Sequence, residues 1–224
     1  LVALVLTCVA AIIALHPAID YRIMPMVFAI ILAPAVITAL TEPNILLPPI
    51  CQPFLKRGLL GRVAGIFMLP GWPSGVFYTL LLLVISGIGT LMATKSKSLS
   101  SYDIEYIIVC LAIIGGVLLP ALFAANFSKQ ENKRFTNFVV FLLILVIFTI
   151  IPSIFANMNG HEKFLWFFAW NPLIFLTMVN ESGFMKSQLL NVVMLVDFMI
   201  LILLLGTACI AYRKYREIFD EAQA

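Results

Sequence analysis

Charge is what this sequence has least of. Asp, Glu, Lys and Arg make up 11% of its 224 residues, against 62% hydrophobic, and the mean hydropathy is +1.09. Ordinary soluble domains carry about 25% charged and about 45–50% apolar residues. So few charges cannot solvate a surface, and no water-soluble core absorbs so much apolar chain. The composition therefore excludes a soluble globular domain and specifies an integral membrane protein. No polar stretch exceeds about a dozen residues, which leaves no room for a separate soluble domain.

Other absences narrow the chemistry. The two histidines, His16 and His161, show no His-x-x-x-His or Glu-x-x-His spacing, so a metal site is not expected. The four cysteines, Cys8, Cys51, Cys110 and Cys209, form no C-x-x-C and read as small buried hydrophobes. There is no Gly-rich phosphate loop after a strand, no G-x-S-x-G elbow and no close pair of acids within a span. The expectation is a chain that is not itself an enzyme, with no catalytic residue, cofactor or metal. The net charge of +3 gives no sign of nucleic-acid binding. There is also no initiator Met and no basic region before Leu1, so Leu1–Leu15 does not read as a signal peptide, and a chain lacking its N-terminal part is expected.

What the sequence does have is apolar runs of membrane length. A span needs about 20 residues at about 1.5 Å each. The runs predict an all-α, polytopic helix bundle forming a single transmembrane domain. Six spans are expected: Leu1–Leu15 (short), Met24–Leu40, Ser74–Ala93, Ile104–Asn126, Phe138–Phe155 and Leu189–Ala211. Small residues in the third and fourth (Ser86, Gly87, Gly89, Ala112, Gly115, Gly116) read as packing contacts.

The connecting segments set orientation. Lys56, Arg57, Arg62, Lys129, Lys133, Arg134, Arg213, Lys214 and Arg216 fall on one side, nine of the 14 basic residues. The positive-inside rule places these nine, and the C-terminus, in the cytoplasm. Ser100 reads as the N-cap that starts the fourth span at its outer end, with Leu99 and Ile104 as a hydrophobic staple.

Four features could carry function. Glu42–Arg62, "EPNILLPPICQPFLKRGLLGR", is apolar for a cytoplasmic loop and holds four prolines. It reads as a chain lying on the bilayer, with an interfacial helix over Phe54–Phe67, and either as a partner-docking surface or as a simple connector. Lys56, Arg57 and Arg62, with Lys133 and Arg134 in the next cytoplasmic segment, are the expected docking cations. Phe164–Val179 is too short to cross and is broken by Asn171-Pro172. It reads as a re-entrant hairpin entering from the outer side, acting as a gate or as an interfacial seal. Asp197 is the clearest acid within a span, where a charge costs about 2.5–3.5 kcal/mol on insertion scales. It heads a stripe with Leu201, Leu204, Ala208 and Tyr215, and is either a polar point on a transport path or an acid bonded to a neighbouring helix. Finally, "PGWPSG" at 70–75 reads as an elbow at the cytoplasmic interface. Pro70 and Gly71 turn the chain, Trp72 anchors at headgroup depth, and Pro73 starts the next span where proline is tolerated.

This arrangement resembles the permease subunit of type-2 ATP-binding-cassette (ABC) exporters. The shared features are six spans with both ends inside, an interfacial cytoplasmic helix between the second and third, and a broken outer hairpin before the last. Asn171-Pro172-Leu173 is similar to the short Pro-containing turn such permeases carry there. The family's Glu and Gly-Thr cytoplasmic signature is not found in Glu42–Arg62. The resemblance implies a bacterial cytoplasmic (inner) membrane location and a homo- or heterodimer. It also implies a separate cytoplasmic ATPase docked on Glu42–Arg62 or Ser128–Thr136, and export through a path that Asp197, Asn171 and Pro172 would line or close. The alternative is a non-catalytic membrane subunit that anchors or assembles a larger complex.

Overall fold

The computed structural model describes residues 2–14, 24–43, 53–54, 58–94, 101–128, 130–159, 162–179 and 186–221. Among these residues the chain is all-helical, with no strand. The helices are α1 (Val2–Ala14), α2 (Met24–Thr41), α3 (Gly58–Met68), α4 (Trp72–Thr94), α5 (Ser101–Phe127), α6 (Arg134–Asn159), the single turn α7 (Phe175–Met178) and α8 (Lys186–Glu221). Short 3-10 turns occupy Glu131–Lys133, Glu162–Phe168 and Pro172–Ile174.

Five segments, Met24–Thr41, Trp72–Met92, Asp103–Phe127, Glu131–Met158 and Gln188–Glu217, are long and apolar enough to cross a membrane. Against the expected six spans, the first run gives only the 13-residue α1. The last apolar run ends at Ala211, yet α8 continues to Glu221, because Tyr212–Glu221 has no Pro or Gly to stop it. The expected cap at Ser100 lies outside the described residues.

α5 is the axis of the bundle. It packs against α2, α6, α8 and the Pro172–Met178 segment. Its sequence permits this, because Ala112, Gly115, Gly116, Ala121, Ala124 and Ala125 are all buried and let backbones approach closely. α2 and α8 also pack on α4, α1 packs on α4 and α2, and α3 lies against α4.

Close contacts fix the directions. Leu4 N–H donates to the Tyr78 hydroxyl at 3.0 Å, and a β-carbon at Gly89 would lie 3.3 Å from the Ala11 β-carbon, so α1 and α4 run parallel. Gly89 also meets Phe28 while Gly75 meets Ala39, so α2 runs antiparallel to α4. Outward faces stay apolar: Leu143, Ile147 and Ile151 on α6, and Leu195, Met199 and Leu203 on α8, are exposed. Such faces are tolerable in lipid and a liability in water. The five long helices and their apolar outer faces suggest a transmembrane protein.

Candidate functional site

The site is built around the chain break at Asn171. Pro172 has no N–H to give and so sits without penalty at the first position of its 3-10 turn. Asn171, with extended backbone, caps that turn: its side-chain oxygen accepts from Leu173 N–H at 3.1 Å. Its amide nitrogen donates to the Leu145 carbonyl at 2.8 Å and to Thr149 Oγ1 at 3.0 Å, both on α6. The side chain is fully buried and uses both ends, so Asn171 fastens the turn to the middle of α6.

The turn then meets α5 and α8. A β-carbon at Gly115 would lie 2.5 Å from Asp197 Oδ1 and 3.1 Å from the Pro172 β-carbon, and one at Gly116 would run into the Leu173 side chain. The glycine pair is therefore a seat: its missing side chains admit Pro172, Leu173 and Asp197. Asp197 Oδ2 is buried and has no hydrogen-bond partner among the described residues.

Asp197 also lines a cavity of about 380 Å³ between α2, α4, α5 and α8, walled by Phe28, Leu83, Gly87, Ile114 and Leu204 among others. Ser86 and Thr90 border it, but their hydroxyls donate to backbone carbonyls of their own helix, Leu83 at 3.0 Å and Ser86 at 2.9 Å. Asp197 is the only acid in the described lining, and no Lys or Arg joins it.

A second polar cluster lies at the other end of the bundle, around "PGWPSG". Gly71 takes a φ of +111°, which favours glycine. Its N–H donates to Glu42 Oε2 and the Trp72 N–H to the Glu42 carbonyl, each at 3.2 Å. The Arg134 guanidinium lies 4.7 Å from the Trp72 ring centre, and the Lys214 ammonium 5.6 Å from it. Glu131 accepts from Lys214 at 3.1 Å and pairs with Arg134 at 3.8 Å. Ser74 and Tyr215 share a hydrogen bond between α4 and α8.

Two expectations change here. Trp72 is only 3% exposed, so its ring is a buried platform under two cations and is not turned outward as a lipid-facing anchor. Arg134 is 4% exposed, so its charge is turned into the bundle and is not presented to a partner. Lys133 is exposed. Lys56 and Arg57 lie outside the described residues, and Arg62 belongs to α3. Pro70 and Gly71 fall in the bend between α3 and α4, and Pro73 in the first turn of α4.

The structure thus brings Asp197, Asn171 and Pro172 to one place. It adds Gly115 and Gly116, which read from sequence as packing residues only. The available signal was an adjacent glycine pair in the middle of a span. Comparison with protein-family models, with characterised proteins and with solved structures finds no match.

Proposed function

We propose that this chain is the membrane-spanning permease subunit of an ABC-type exporter, acting with a separate cytoplasmic ATPase and, by resemblance, as a dimer in a bacterial inner membrane. The chain holds no catalytic residue in this reading. α1 is the first of six spans, and the C-terminus is cytoplasmic, on the side that carries most of the basic residues.

The observation that carries the reading is the broken turn at Asn171–Leu173, seated on Gly115 and Gly116 beside an acid-lined cavity. Leu145, to which Asn171 is fastened, lies eleven residues into α6, about 16 Å along a helix about 39 Å long. That depth suits a hairpin that enters from the outer face, turns near the membrane's middle and leaves by the same face. Broken backbone survives there only when protein satisfies it, and Asn171 does so. A plug of this kind between central helices is what an outward path needs for closure.

The Trp72 cluster supplies the coupling. The elbow after α3 begins α4, and Trp72 ties that start to α6 through Arg134 and to α8 through Lys214. Movement of a partner bound on Glu42–Arg62 therefore reaches three helices at once, two of which wall the cavity.

Purification of the tagged full chain from its own cells in mild detergent tests the reading. A stoichiometric ATPase is expected to come with it, and to be lost when Lys56 and Arg57 are both changed to Glu. A stable complex that contains no ATPase would overturn the proposal and favour the anchor reading.

A further inference from the structure

We infer that the cavity between α2, α4, α5 and α8 is a binding site for an amphipathic organic cation, with Asp197 as its counter-ion. This rests on reading that cavity as part of the transport path, and it names the class of compound the path would take.

The chemistry follows from what the cavity has and lacks. Its walls are aliphatic and aromatic, supplied by Phe28, Leu83, Ile114 and Leu204, and its hydroxyls are spent on their own helices. An apolar body is therefore well received and a hydrogen-bonding one is not. At one wall stands a carboxyl whose Oδ2 is buried and unpartnered among the described residues. A carboxylate removed from water stays charged only beside a paired cation and otherwise takes up a proton, so a bound cation is what would hold Asp197 ionised. No described Lys or Arg lines the cavity, and along α8 the nearest basic residues are Lys186, eleven positions and about 16 Å before Asp197, and Arg213, sixteen positions and about 24 Å after it.

Access and space agree. Leu91 on α4 and Leu201 on α8 line the cavity and are exposed, Leu91 to 69%, so the cavity reaches the bundle's apolar outer surface. A compound already dissolved in lipid can enter there without crossing a polar surface. Gly87 lines the same cavity, and a β-carbon added to it would meet nothing within 4 Å. That room belongs to the ligand. Asp197 itself is pressed against Gly115 and beside Pro172, so a cation bound to it touches the same seat that holds the broken turn.

The test uses the full chain in nanodiscs of uncharged lipid. The probes are radiolabelled tetraphenylphosphonium and tetraphenylborate, which share a shape and differ in sign. Saturable binding of the phosphonium, above that of empty discs and absent for the borate, is expected. Asp197→Asn should weaken it about tenfold or more, and Asp197→Glu should restore most of it. Gly87→Leu, which adds bulk to the α4 wall of the cavity and keeps the carboxyl in the chain, should also abolish binding, with elution volume and helical content confirming a folded chain. Equal binding of both ions, no binding above empty discs, or unchanged phosphonium affinity in a folded Asp197→Asn would overturn the inference. None of these results bears on whether an ATPase co-purifies, so the ligand class and the permease reading fail separately.

Discussion

The Arg134 guanidinium lies 4.7 Å from the centre of the Trp72 ring, joining the first residue of α6 to the first residue of α4. Both side chains are buried, and Lys214 from α8 closes on the same ring. A cation–π contact gains most when it is desolvated, as it is here. It also turns inward a charge that a partner at this end of the bundle would otherwise meet.

The pair should be measurable as a coupling. Trp72→Ala is expected to lower stability by about 3–5 kcal/mol, and Trp72→Phe, which keeps an aromatic face, by less. A double-mutant cycle of Trp72→Ala with Arg134→Met, followed by SDS-induced unfolding in mixed micelles, should return about 1–2 kcal/mol of interaction. Strict additivity of the two changes would mean that the ring and the guanidinium do not support each other.

Asn171 should behave as a fastening. Asn171→Ala removes two donations to α6 and the cap on Leu173, and should cost about 1–3 kcal/mol. Thr149→Ala removes one partner only and should cost about 1 kcal/mol or less. Asn171→Asp keeps the cap but puts an acceptor where a donor is needed, so it should be no better than Ala. A neutral Asn171→Asp would show that the bonds to Leu145 and Thr149 do not hold the turn.

The glycines should separate by what surrounds them. Gly75→Ala would drive a β-carbon into the Ala39 backbone carbonyl, which cannot rotate away, so the loss should reach about 3 kcal/mol or prevent folding. Gly116→Ala meets the far end of Leu173, a flexible side chain, and should lose about 1–2 kcal/mol. Gly206 has nothing within 4 Å and is helical, so Gly206→Ala should be neutral or stabilise by up to about 1 kcal/mol. The ranking is read from thermal unfolding in one detergent, and a Gly75→Ala variant as stable as Gly206→Ala would contradict the α2–α4 contact.

The long helices could be read from their apolar runs because a span is a matter of length and composition. The bend at Gly71 and the break at Asn171-Pro172 were equally legible, since Pro and Gly act locally. The stripe of α8 was legible in part: Leu204, Ala208 and Tyr215 are buried, but Leu201 is exposed, as are Leu195, Met199 and Leu203. The burial of Trp72 and Arg134 was not legible. Arg134 lies 62 residues from Trp72 along the chain and Lys214 142 from it, and nothing in local periodicity marks a cation that will fold inward. Gly115 and Gly116 were visible as small residues, but which side chains they would admit depends on how three helices meet.

The gate and the exporter reading both depend on a chain that enters and leaves the membrane by one face between α6 and α8. Single cysteines at His161, Ser182 and Gln223, in a background with the four native cysteines replaced by Ser or Ala, test this by labelling intact cells with a membrane-impermeant maleimide. Positions 161 and 182 are both expected to label from outside, while 223 labels only after the membrane is permeabilised. Labelling of 161 and 182 from opposite sides would make Phe164–Val179 a crossing segment and would contradict the account.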